Sequence, residues 1–62
     1  MATFRFVRNF KDKPSGRTIR AGTVGRFVMQ SEDHPDSNWV LIHLEDGSEV
    51  WALADKDVEL VR

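Results

Sequence analysis

Trp39 to Leu53, "WVLIHLEDGSEVWAL", constrains the fold more than any other part of the chain. Two runs of aliphatic, β-branched and aromatic residues flank a short polar segment that contains Asp46-Gly47. Glycine readily takes the positive φ that tight hairpin turns need, so the stretch predicts two antiparallel strands, Trp39 to Leu44 and Glu49 to Leu53. On the first strand Val40, Ile42 and Leu44 share a parity opposite Trp39, Leu41 and His43. The first set is the cleaner core face, which sends Trp39 outward. On the second strand Val50 and Ala52 oppose Trp51 and Leu53, neither face is polar, and the side taken by Trp51 stays open.

The other segments continue the β pattern. In Thr3 to Phe10, Phe4, Phe6 and Phe10 share a parity interrupted by Arg8, which reads as a first strand. "KDKPSGRT" reads as a loop, because Pro14, Ser15 and Gly16 together break regular structure. Thr23 to Gln30 is the next strand, with Gly22 and Gly25 marking a bulge or a close backbone approach. "SEDHPDSN" is a second polar loop. The tail "ADKDVELV" predicts one tight turn and a final strand, Val58 to Val61. A helix over Trp51 to Val61 is the rival reading, but it lacks an N-cap and a run of strong helix formers. Five short strands within residues 1–62 are too few for a sandwich of ordinary size. They predict a single all-β domain curled into a small five-stranded barrel.

Composition narrows the function classes. With no cysteine there is no disulfide framework and no thiolate metal site, a composition suited to the cytoplasm. The chain opens on arginines alternating with apolar residues, unlike a secretory signal, and no apolar run approaches the ~20 residues of a membrane span. No cysteine nucleophile, phosphate-binding glycine loop or serine–histidine–acid arrangement stands out, so the expectation is a non-enzyme without cofactor. His34 beside Asp33 and Asp36, and His43 on a strand, lack the further ligands a metal site needs. Glu32, Asp33 and Asp36 do not match a calcium loop. His34-Pro35-Asp36 is also the chaperone J-domain tripeptide, here without the two helices that motif joins.

This order of elements resembles an SH3-like barrel over nearly the whole chain. "FVRNF" at Phe6 to Phe10 sits where SH3 domains carry an Ala-Leu-Tyr-Asp-Tyr segment. "IRAGTVGRFV" resembles their glycine-marked entry to the second strand. Trp39 opens the third strand as the SH3 tryptophan does, and "LADKDVELV" resembles their last turn and strand. The resemblance implies a short 3-10 turn before the last strand and a cleft that holds polyproline between aromatic rings. Arg8 stands at the first cleft tyrosine, and Ala54 and Asp57 fall at the family's proline and second tyrosine, so polyproline recognition is not expected. "AGTVGRFV" also resembles the Gly-x-x-Gly-x-Val pattern of KOW-type barrels, which implies nucleic-acid binding as the alternative.

Charge supplies the remaining signal. Residues 1–26 carry seven basic side chains against Asp12, and residues 27–62 carry nine acids against Lys56 and Arg62, within a net charge of -1. Six of the nine basic residues lie in Val7 to Arg26. One reading is internal compensation, with Arg5 and Arg8 facing Asp57 and Glu59 across neighbouring first and last strands. Another is a surface that steers an acidic protein partner, which the net charge does not oppose. A nucleic-acid site is the third, disfavoured because the acidic half would repel a polyanion. The function expected is a protein-binding module or small subunit of a bacterial-type assembly, monomeric or weakly dimeric. Its candidate surface is Arg8, Phe10, Lys11, Lys13, Arg17 and Trp39, with cations steering and aromatics anchoring. Lys11, Lys13 and Arg17 are the charges expected to escape internal pairing.

Overall fold

The computed structural model describes residues 2–32 and 38–62. Seven strands follow one another: β1 (Thr3–Phe6), β2 (Phe10–Asp12), β3 (Arg17–Ile19), β4 (Val24–Gln30), β5 (Trp39–Leu44), β6 (Glu49–Leu53) and β7 (Val58–Val61). Five form an antiparallel sheet in the order β6-β5-β4-β1-β7, and β2 pairs with β3 as a separate hairpin. The fold is all-β, and the helix over 51–61 does not form.

The hairpin that the sequence marks most strongly is present with its expected ends. Gly47 takes φ 91°, its N–H donates to Leu44 O at 3.0 Å, and Leu44 N–H donates to Ser48 O at 2.8 Å. Alternation then decides the two faces. Val40, Ile42 and Leu44 of β5 and Val50 and Ala52 of β6 are buried, together with Phe6, Ile19 and Val58. Phe4, Phe10, Phe27 and Ala54 pack against that cluster. Trp51 therefore lies on the outer face of β6 and is 40% exposed, which resolves the side that its strand's pattern leaves open.

The sheet is strongly rolled. In a flat five-stranded sheet the two edges would stand about 19 Å apart. Here β6 and β7 are those edges, yet Ala54–Asp57 connect them in one turn closed by Asp57 N–H donating to Leu53 O at 2.8 Å. Among the described residues no ladder joins β6 to β7, so the two edges meet through the turn and not through strand pairing. The turn also corrects the expected 3-10 geometry. Its shorter bond spans four residues, and the three-residue bond, from Lys56 N–H to Leu53 O, is longer at 3.3 Å.

Two further expectations change. The first strand ends at Phe6 and Phe10 lies in β2, although Val7 N–H still bonds to Asp57 O at 3.0 Å in the β1–β7 register. The segment read as a loop is a hairpin, with Phe10 opposite Ile19 and Asp12 opposite Arg17. Its reversal uses Gly16 at φ 73°, and Gly16 N–H donates to Asp12 O at 2.8 Å.

Gly25 meets the expectation of close backbone approach. It sits between Phe4 of β1 and Leu44 of β5. A Cβ there would collide with the Ile42 side chain and stand 2.9 Å from the His43 carbonyl oxygen. We predict that Gly25→Ala lowers stability by roughly 1–3 kcal/mol through overpacking. A urea midpoint equal to that of the parent chain would refute this account.

Candidate interaction surface

The basic N-terminal half and the acidic C-terminal half meet because β1 and β7 are neighbours. Arg5 stands opposite Glu59 in the β1–β7 register, and its Nη2 lies 2.6 Å from Glu59 Oε1. Arg8 follows the break after β1. Its Nε and Nη2 both donate to Asp57 Oδ1, at 3.3 and 2.9 Å. The second Asp57 oxygen accepts Leu53 N–H at 3.0 Å. The Asp57 side chain is only 8% exposed, whereas the Arg8 side chain is 60% exposed. Internal compensation thus accounts for Arg5 and Arg8, in the two pairs that strand adjacency suggests.

Arg17 is also compensated, contrary to expectation. From the end of the β2–β3 hairpin it reaches the β5–β6 turn, with Nη2 2.6 Å from Asp46 Oδ2 and Nη1 donating to Ser48 Oγ at 2.9 Å. Asp46 also accepts from the Ser48 hydroxyl at 2.6 Å and from its backbone N–H at 2.9 Å. The two bonds from Ser48, reinforced by Arg17, hold the Asp46 carboxyl down at about 2, below its ordinary 3.8.

The other candidate residues separate. Lys11 on β2 and Lys13 in the hairpin turn are exposed and make no ion pair among the described residues. Phe10 turns its ring to Phe6, centroids 5.5 Å apart, and packs against the core. Trp39 is half-buried at the start of β5, on the face opposite Val40 and Ile42, and stands opposite Leu53 of β6. Arg8, Lys11 and Lys13 are exposed cations, Arg8 being paired with Asp57, while Phe10 and Trp39 occupy different settings.

Asp57, the buried carboxylate that orients Arg8, is one of the partners that strand adjacency suggests, whereas two other features escape the sequence reading. Asp46 and Ser48 receive Arg17, a contact that depends on where an unforeseen hairpin lands. Met29, Leu41 and Trp51 form a row on the outer sheet face, signalled only by the absence of a polar face on β6. Among the described residues no group of three His, Asp or Glu side chains gathers to hold a metal ion. Asp33, His34 and Asp36, with the His-Pro-Asp tripeptide, lie outside the described residues. No helix among the described residues is long and apolar enough to cross a membrane. No family model, curated protein or solved structure matches the chain.

Two outcomes follow from these contacts. Asp57→Ala strips Leu53 N–H of its acceptor and Arg8 of its partner, and is expected to cost about 1–3 kcal/mol in denaturant unfolding. Arg8→Ala removes a mostly exposed head group and is expected to cost about 1 kcal/mol or less. A larger loss for Arg8→Ala than for Asp57→Ala would invert this ranking and sink it. For Asp46, the folded-state value lies below the unfolded one, so its contribution is present above about 3.8 and is lost as pH falls through about 2. Carboxyl NMR titration should read the low value in the parent chain and a higher one in Ser48→Ala. An unchanged Asp46 titration in that variant would refute the role of Ser48.

Proposed function

We propose that the chain is a non-catalytic SH3-like barrel that binds an acidic segment of a protein partner, without recognising polyproline. Strand order supports the architectural part. The seven-residue β4 pairs with β1 at its beginning and with β5 along its length, with a register shift between Phe27 and Met29. A small barrel of this class needs such a strand, shared between its two halves, and a bulge is the device that bends it. The β2–β3 hairpin occupies the place of the long first loop of that class.

Arg8 carries the functional part. At the positions where the resembling family has its two cleft tyrosines, this chain has Arg8 and Asp57, and the two are joined at 2.9 Å. An aromatic slot for proline rings is thereby exchanged for a pinned guanidinium whose outer side is open to solvent. Lys11 and Lys13 add exposed cations beyond it in the chain. Cations fixed in this way steer and orient a carboxylate-rich segment, and oriented charge raises association rates more than it raises affinity. A KOW-like nucleic-acid module would draw on the same cations. Such a module would bind a dense, continuous polyanion, which the net charge of -1 opposes more than it opposes a short acidic segment.

Titration of the full chain with three probes tests the proposal: an unstructured Glu/Asp-rich peptide, a proline-rich peptide and a single-stranded RNA. The acidic peptide is expected to bind in a salt-dependent manner, and Lys11→Glu/Lys13→Glu to weaken it by about tenfold. Absence of acidic-peptide binding at low salt, or equal binding by the variant, refutes the surface. Tighter binding of RNA than of the acidic peptide would replace the proposal by the nucleic-acid reading.

A further inference from the structure

The outer face of β4, β5 and β6 carries apolar side chains that folding leaves in water. Of the exposed large hydrophobic residues, Val24, Val28 and Met29 lie on β4 and Trp51 on β6. Register lines up the central ones. Met29 stands opposite Leu41, and Leu41 opposite Trp51, on the side away from the buried Ile42, Val50 and Ala52. Trp39 and Leu53 form the next pair along the same face. An apolar row three strands wide, exposed at Met29 and Trp51 and half-buried at Leu41, is the usual mark of an association surface.

The row beside it says what covers the face. Arg26, His43 and Glu49 stand opposite one another across β4, β5 and β6, with His43 Nδ1 3.5 Å from Glu49 Oε2. Arg26 is exposed and makes no ion pair among the described residues. The face therefore has a cation on one flank of β5 and an anion on the other. Such a surface is complementary to itself under a twofold axis that lies in the contact plane along β5. That axis sets Arg26 of one copy over Glu49 of the other and Met29 over Trp51, a sulfur–aromatic contact, while Leu41 meets Leu41 near the axis. An axis across the strands would lay β4 on β4 and β6 on β6 and so never bring Arg26 over Glu49; only the axis along β5 joins the opposite charges. Strands of the two sheets then run in the same direction, as in aligned sheet packing.

We propose that this face is the contact of a weak homodimer formed by twofold packing of β4–β5–β6 against a second copy. Three strands of about five residues cover roughly 250 Å² in projection. A standard interface buries about 800 Å² per partner, so the dimer forms only at high concentration. The surface is separate from the Arg8–Lys11–Lys13 cations, and either can fail without the other.

Sedimentation equilibrium of the full chain from about 50 µM to about 1 mM tests the proposal, a range that spans weak association. The parent chain should pass from monomer towards dimer. Trp51→Glu and Met29→Glu, both at exposed positions, should each remain monomeric throughout, with circular dichroism like that of the parent. Lys11→Glu/Lys13→Glu should dimerise as the parent does. Arg26→Glu alone and Glu49→Arg alone should each weaken self-association by about tenfold, since each sets like charges face to face. An equimolar mixture of the Arg26→Glu chain and the Glu49→Arg chain should associate at least as well as the parent, because both cross-contacts become complementary. A parent chain still monomeric at the top concentration overturns the proposal. So does association that survives Met29→Glu and Trp51→Glu, or a mixture that associates no better than its components.

Discussion

The contact on which the rest of this structure depends is the placement of Asp57 at the end of the turn that joins the two edges of the sheet. Its backbone N–H donates to Leu53 O, and its backbone carbonyl accepts Val7 N–H. One carboxylate oxygen accepts Leu53 N–H and the other receives Arg8. A single residue therefore holds the end of β6, the end of β1 and the start of β7 together. Burying a carboxylate is costly, and two acceptor contacts with a cation among their donors offset that cost. An apolar side chain there would spare the desolvation but leave Leu53 N–H without an acceptor. Asp57 is the one buried charged residue among those described, and it supplies the acceptors that the turn between the sheet edges calls for.

That roll also converts the charge asymmetry of the chain into local neutrality. Because β1 lies between β4 and β7, the basic first strand borders the acidic last one. Arg5 and Glu59 are both about half exposed, so their pairing adds little stability. Its value lies in register: a slip by one residue would turn Arg5 towards the core and Phe6 towards solvent. Arg17 acts over a longer path, tying the β2–β3 hairpin to the Asp46–Ser48 turn. What looks along the chain like one basic patch becomes, in three dimensions, three paired cations and four exposed ones without an ion pair among the described residues.

Legibility followed the strength of local pattern. β5, β6 and β7 begin and end where alternation and the Asp46-Gly47 signal placed them, and β4 starts one residue later than expected. The first strand misled because Phe10 keeps the parity of Phe4 and Phe6 although the chain breaks at Val7. An interruption of three residues, Val7 to Asn9, leaves the parity of Phe10 unchanged, so parity cannot register it. The β2–β3 hairpin was invisible for a different reason. Its strands have three residues each, and Ile19, its one buried side chain, has no apolar neighbour with which to form a period. On the candidate surface, Arg5 and Arg8 were placed correctly because strand adjacency alone brings their partners near. Arg17 was not, since its partner depends on the unseen hairpin. Phe10 looked like an anchor because sequence reports that an aromatic is present, not which way its ring turns.

The two rims and the outer face of the sheet differ in how open they are to association. Leu44 N–H bonds to Ser48 O and Ala54 N–H to Asn38 O, so even-numbered residues of β6 point their backbone groups at β5. Glu49, Trp51 and Leu53 point theirs away from it, along the free edge. Both Leu53 groups are already engaged by Asp57, and Glu49 sets a charge at the other end of the strand. Little of that edge is left to template another strand, and charge at an edge discourages pairing further. At the opposite rim, β7 turns Glu59 out into its pair with Arg5. The outer face has no such protection. Met29 and Trp51 stay exposed and Leu41 between them is half-buried, so part of the apolar area of this row is left in water in the monomer. A sheet that guards its β6 edge and leaves an apolar row on the face beside it is built to associate there through side chains, in a register set by Arg26 and Glu49, rather than through backbone pairing.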